Sequence, residues 1–135
     1  MKPIGYWLNR TDQALTAAMD ALLAGCGPTR LSWQVLNVLK EDPRATDTGI
    51  RAVLAANADA DALTAAIEAL LADGWALRPE PGRLAFTADG LARFAEAGVR
   101  IGAFRELAAA GISPEEYRTA VGVLERMTRN LEEAV

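Results

Sequence analysis

Apolar residues recur along the first half of the chain at intervals of three and four, the spacing that aligns one face of an α-helix. Between Ile4 and about Ala24 the set Ile4, Leu8, Leu15, Met19 and Leu22 forms a narrow seam, and "GCGP" ends it. The run "TRLSWQVLNVLKED" carries Leu31, Val35, Val38 and Leu39 at helical offsets, with Trp33 and Leu36 beside them. Pro43 bars its continuation, because proline has no amide proton and its ring clashes with the preceding turn. A third, shorter helix follows in "ATDTGIRAVLAANAD", with Thr46 or Asp47 as its cap and Ile50, Val53 and Leu54 as core contacts. A fourth sets Leu63, Ala66, Ile67, Leu70 and Leu71 on one arc. Gly74 stands where a left-handed residue would close it.

After Gly74 the period changes. "WALRPEPGRLAFT" holds two short extended stretches around "PEPG", whose prolines and glycine favour a tight turn, and this predicts a small β-hairpin. Helix returns near Ala88 in "LARFAEAGVRIGAFRELAAAG". A last helix opens with "SPEE": Ser113 caps, Pro114 occupies the first turn, and Glu115 and Glu116 suit the positive end of the helix. Gly98, Gly102 and Gly122 interrupt the long helices at about 1 kcal/mol each, permitting either close helix approach or bends.

Composition narrows the functional classes. A chain of 135 residues, 51% hydrophobic and 24% charged, fits one soluble domain over 1–135. Eighteen acids against fourteen bases leave a net charge of −4, so affinity for a polyanion must come from local patches. The chain has no His, which removes the commonest metal ligand and general base, and its single cysteine, Cys26, rules out an intrachain disulfide framework. Only Arg30 is near Cys26 in sequence to activate a thiolate. With no recognisable nucleophile and base, the expectation is a binding protein without cofactor or metal rather than an enzyme. No signal peptide and no run of about 18 apolar residues is evident, which predicts a cytoplasmic protein that does not enter the membrane.

Three short helices and a hairpin between long helices, carried by "LTAAIEALLADGWALRP", "LAFTADGLARF" and "ISPEEYRTAVGVLERMTRNLEE", resemble the MarR family of bacterial transcription regulators over nearly the whole chain. The most specific piece is Phe86-Thr87-Ala88-Asp89-Gly90 after the hairpin. The resemblance implies a mainly α fold with a small β-hairpin wing. A winged helix-turn-helix would span 28–87, with dimerisation helices in 1–25 and 88–135. It further implies a homodimer that binds a palindromic operator in double-stranded DNA, with the fourth helix in the major groove, the wing near the minor groove, and a small ligand often relieving binding.

The residues support these implications unevenly. With Leu63, Ile67 and Leu70 turned inward, the fourth helix presents Asp61, Ala65, Glu68 and Ala72, with Thr64 at the edge. That face has no cation where family members commonly offer Arg, Ser, Thr or Gln, and the wing is shorter than usual. Basic positions surround it: Arg78 and Arg83 match the wing, and Arg44 and Arg51 flank the third helix. The candidate DNA-binding set is therefore Arg44, Arg51, Thr64, Glu68, Arg78 and Arg83, with Thr64 suited to a phosphate or thymine methyl and Glu68 able to accept from cytosine N4. A carboxylate about 8 Å from a phosphate in water is repelled by only about 0.5 kcal/mol, so two acids do not forbid binding. Four arginines per subunit would give about eight phosphate contacts in a dimer.

Dimerisation is assigned to Ile4 and Leu8 of the first helix and Tyr117, Val121, Leu124 and Leu131 of the last, in a rhythm that ends at Val135. The competing assignment packs both stripes on the same subunit's core. Tyr6, Trp7, Trp33 and Phe104 form a candidate pocket for a small aromatic effector, against which ordinary burial preferences favour plain core. A rival reading keeps the fold and the dimer but not DNA binding, leaving a protein-interaction or ligand-binding module. The acidic face and short wing support it.

Overall fold

The computed structural model describes residues 1–134; Val135, the last position of the predicted apolar rhythm, lies outside the described residues. The chain forms two compact units, residues 1–101 and 102–135. The first contains α1 (Ile4–Cys26), α2 (Arg30–Glu41), α3 (Asp47–Val53), α4 (Ala60–Ala72), β1 (Ala76–Leu77), β2 (Ala85–Phe86) and the start of α5 (Ala88–Ala108). The second holds the end of α5 and α6 (Pro114–Glu133).

In the first unit, α2 supplies Val35, Leu36 and Leu39 to a core completed by Ile50 of α3, Leu63, Ile67 and Leu70 of α4, and Trp75 and Leu84 from the hairpin region. The short helices begin where side-chain oxygens replace missing backbone acceptors. Thr29 accepts from Ser32 N at 3.1 Å, Thr46 from Gly49 N at 3.0 Å, and Asp59 from Ala62 N at 2.8 Å. Of the two cap candidates for α3, Thr46 takes the role, which leaves the Asp47 carboxylate in the first turn for another partner. One expected core contact is corrected: Val53 is 66% exposed. The buried side of α3 runs through Ile50 and Leu54, four residues apart on one face, and Val53 falls off that arc toward solvent.

The hairpin pairs Ala76 with Phe86 and Leu77 with Ala85, antiparallel. A third segment joins it, which the sequence pattern did not indicate. Thr46 forms an antiparallel bridge with Arg83, Leu84 N donates to Ala45 O at 3.0 Å, and Asp47 N donates to Gly82 O at 3.0 Å. The loop before α3 and the returning limb of the wing are thus one ladder. A two-residue strand such as Ala45-Thr46 is too short for alternation to reveal.

The step from hairpin into α5 is held by Thr87. Its hydroxyl donates to Gly74 O at 2.6 Å and accepts from Gly90 N at 2.8 Å, while its own amide donates to Trp75 O at 3.1 Å. Gly74 itself sits at φ 78°, the left-handed position expected at the end of α4. Arg93, one turn into α5, donates to Asp73 O at 3.1 Å and lies over the Trp75 ring at 3.9 Å. Start of α5, end of α4 and first hairpin strand are joined by these contacts.

In the second unit, α6 opens with a reciprocal cap. Ser113 Oγ accepts from Glu116 N at 3.1 Å, and Glu116 Oε1 accepts from Ser113 N at 2.9 Å. None of the described residues of α6 is buried. No helix among the described residues is long and apolar enough to cross a membrane.

Candidate functional site

Asp47 stands at the centre of the basic cluster. Its carboxylate accepts both arms of the Arg78 guanidinium, Nη1 to Oδ1 and Nη2 to Oδ2, each at 2.9 Å. The same Nη1 also donates to Arg83 O at 3.3 Å. This parallel fork is the strongest geometry available to an Arg–carboxylate pair. The hydrogen bond to Asp47 raises the Arg78 pKa above its ordinary value; burial opposes this, and the charges of Asp47 and Glu68 add to it. Glu68 is therefore within electrostatic reach of the wing.

Arg83 is held differently. Its Nη2 donates to Pro43 O at 3.2 Å, its Nη1 lies 3.5 Å from Glu80 Oε1, and its Nε is buried with no acceptor among the described residues. The backbone that Arg83 holds is that of Pro43, the residue before Arg44, and the Arg83 carbonyl accepts from Arg78, so the two wing arginines are tied to the α2–α3 loop and to each other. Arg44 is exposed, its backbone fixed by a bond from its amide to Asp42 Oδ1 at 2.9 Å. Arg51, four residues beyond Asp47 on α3, is half-buried. Neither Arg44 nor Arg51 has a carboxylate partner among the described residues, whereas Arg78 and Arg83 both do.

On α4, Asp61, Thr64, Ala65, Glu68 and Ala72 are all exposed, as the helical arc required. Thr64 lies one turn before Glu68 on the same face. The residue that sequence reasoning undervalued is Asp47, read only as a cap. Two adjacent cap-forming residues were the available signal, since a helix start uses one of them and frees the other.

The aromatic residues form two separate pairs. Tyr6 and Trp7 meet edge to face at 5.0 Å, and Trp33 stacks on Phe94 at 4.6 Å and 21°. Phe94 also contacts Phe86, at 5.2 Å. No aromatic pair among the described residues joins Tyr6 or Trp7 to Trp33, and Phe104 is half-buried in the second unit. An open cleft of about 680 Å³ lies where α1 meets α2, lined by Leu23, Gly27, Pro28, Thr29 and Leu31 among others and by none of the four aromatics. Of the residues assigned to dimerisation, Ile4, Leu8, Tyr117, Val121 and Leu131 are between 41% and 67% exposed, and Leu124 is half-buried.

Cys26 is half-buried with Arg100 Nη1 at 3.8 Å from its sulfur, while Arg30 turns instead to Asp20 at 3.8 Å. No group of three or more His, Cys, Asp or Glu side chains suited to a metal ion occurs among the described residues.

The helix order, the position of α4 and the ladder between the α2–α3 loop and the hairpin define a winged helix-turn-helix protein. Within that class the chain has the fold seen in MarR regulators. It superposes on the reduced form of Escherichia coli MarR with a TM-score of 0.73 at 20% identity, over 94% of both chains. A Mycobacterium tuberculosis MarR family protein solved in complex with DNA gives 0.74 at 23% identity, over 94% of this chain and 98% of that one. A MarR family transcriptional regulator from Rhodococcus sp. RHA1 gives 0.72 at 20%, over 92% and 91%. No family model and no curated protein matches the sequence.

Proposed function

We propose that this chain is a MarR-like, homodimeric transcriptional regulator that binds double-stranded DNA and acts without catalysis. The observation that carries the reading is that the wing arginines Arg78 and Arg83 are held against the loop and first turn of α3, next to Arg44 in the chain, with Arg78 within electrostatic reach of Glu68 on α4. In the winged-helix fold, α4 is the element that enters the major groove, and cations at its edge meet the phosphates on either side. Thr64 and Glu68 then face base edges or sugar–phosphate, and Arg44 and Arg51 reach the backbone.

The charge arithmetic is more modest than four arginines per subunit would suggest. Two of the four are already paired with carboxylates, so a dimer begins with about four ready phosphate contacts and a slope of log K against log salt near −3.6. Dimerisation is what raises so acidic a chain to useful affinity. The exposed apolar residues in series on α1 and α6 support self-association, since contiguous exposed apolar surface commonly marks an interaction site. Control by a small aromatic molecule follows if it prefers a dimer geometry in which the two α4 helices are wrongly spaced for a palindromic operator. Affinity then falls by the ligand's differential binding to the two states. A cytoplasmic location fits this role.

The deciding experiment titrates the DNA flanking the protein's own gene across a salt series, with oligomeric state measured in parallel. A specific complex whose affinity falls steeply with salt is the expected result. A confirmed dimer that forms no specific complex even at low salt would reject the regulator reading. The second reading, a dimeric MarR-fold module for a protein or small ligand, would then stand. Its favouring observation is the Asp47–Arg78 fork, which withdraws a wing cation from solution beside the acidic face of α4.

A further inference from the structure

We propose that the Asp47 carboxylate is an internal stand-in for DNA phosphate: it occupies the Arg78 guanidinium in the free protein and must be displaced before that arginine can contact DNA. This deepens the DNA-binding reading and rests on it.

Three features of the structure lead here. The two-pronged contact, with Nη1 donating to Oδ1 and Nη2 to Oδ2, each at 2.9 Å, is the arrangement a guanidinium also makes with two phosphate oxygens, so carboxylate and phosphate compete for the same donors. Asp47 is not needed as the α3 cap, because Thr46 holds the Gly49 amide, and its backbone amide is already committed to Gly82 O. Its carboxylate therefore has Arg78 as its ion-pair partner, across 31 positions of sequence. The pair is also partly open to solvent, with the side chains of Arg78 and Asp47 34% and 22% exposed, so an incoming phosphate can reach it.

In the free protein, the wing is held against the start of α3 and its charge is neutralised. When DNA approaches, Arg78 exchanges Asp47 for phosphate, and the released carboxylate is left near a polyanion. Both halves of that exchange lower affinity relative to a chain with a free arginine. The pair thereby lowers the phosphate-directed part of binding, the part that does not depend on sequence.

A double-mutant cycle tests this. Wild type, Asp47→Ala, Arg78→Ala and the double variant are titrated with the flanking duplex and with a random-sequence duplex of equal length. Asp61→Ala serves as the variant that removes one acid without freeing Arg78. Asp47→Ala is expected to bind both duplexes roughly tenfold tighter and to steepen the salt slope by about 1.8 per dimer, one extra contact per subunit. In the Arg78→Ala background, the same change should give no more than Asp61→Ala does and no added slope. Asp47→Asn, which keeps the side chain's shape and removes its charge, should move in the same direction if Asp47→Ala folds poorly. Equal gains in both Arg78 backgrounds, or weaker binding by Asp47→Asn, would overturn the proposal while leaving the regulator reading intact. Failure of every variant to bind either duplex at low salt would overturn both. Binding by Asp47→Ala alone would support the stand-in and show that wild type is held closed.

Discussion

The carbonyl oxygen of Trp75 lies where a side chain on Gly90 would begin: a Cβ at Gly90 falls 1.9 Å from it and 2.6 Å from the carbonyl carbon. No rotamer relieves this, because both partners are backbone. Gly90→Ala must therefore push α5 away from the Trp75 backbone, between α4 and β1, and disturb the Thr87 contacts at once. The expected loss is about 3 kcal/mol, at the upper end of overpacking costs, read as a lowered urea midpoint with an unchanged slope. Gly98→Ala, on the same helix with no atom within 4 Å of the new Cβ, is the contrast, and should leave stability equal or raise it by up to about 1 kcal/mol. Similar losses in the two variants would contradict the close approach.

Arg93 joins three groups through one guanidinium: the backbone carbonyl of Asp73 at the end of α4, the Trp75 ring, and the Asp89 carboxylate at 3.9 Å. Arg93→Met keeps the aliphatic stem and removes the rest. A loss of about 1–2 kcal/mol is expected from the cation–π and carbonyl contacts together, with Arg93→Lys recovering part of it. Chemical denaturation followed by tryptophan emission measures both, and an unaffected Arg93→Met would show that the guanidinium adds nothing there.

At the start of α6, the bonds from the Ser113 backbone and side chain hold the Glu116 carboxyl below the usual carboxylate range. A carboxyl whose pKa is lower in the folded chain adds stability above its unfolded pKa and loses it as pH falls through the folded value. Helix content should accordingly decline in acid below the range in which free glutamates titrate. Glu116→Gln keeps a neutral version of the cap and should flatten that decline in far-ultraviolet dichroism. An identical acid profile in the variant would detach the effect from this residue.

Val121 and Leu131 are exposed on α6, at 48% and 67%. Replacing both with lysine places two charges in the proposed dimer seam, where they would be desolvated without partners. Sedimentation equilibrium is expected to report a dimer for the wild type and monomers for the variant at the same concentration, with α-helical content retained. A persistent dimer would move the interface elsewhere.

The fold was legible wherever periodicity and punctuation agreed. Leu63, Ala66, Ile67 and Leu70 define α4 because they recur on one arc, and Gly74 ends it because it tolerates the left-handed turn. The Thr87–Gly90 step is visible as a motif, yet its physical content, a capping hydroxyl and a backbone contact with Trp75, is set by tertiary packing. The glycines that drew notice in the sequence, Gly98, Gly102 and Gly122, have no neighbour that a Cβ would meet, whereas Gly90 does. The candidate site was legible as a set of cations and not as a circuit. Nothing local in "ATDTG" announces that Asp47 will pair with Arg78, because that contact depends on how a ladder folds the wing back onto α3. The contacts of Cys26 with Arg100, 74 residues away, and of Trp33 with Phe94 are likewise set by tertiary packing and have no local signal.

The ladder between Ala45–Asp47 and Gly82–Leu84 also marks where this wing can tolerate change. Below it, Ala76 and Leu77 are paired with Phe86 and Ala85, and above it Pro79-Glu80-Pro81 forms the tip, with no strand partner among the described residues. A longer, more basic tip grafted at those three positions would leave both registers undisturbed. One added residue within 82–84 would shift every inward side chain outward and pull the start of α3 with it.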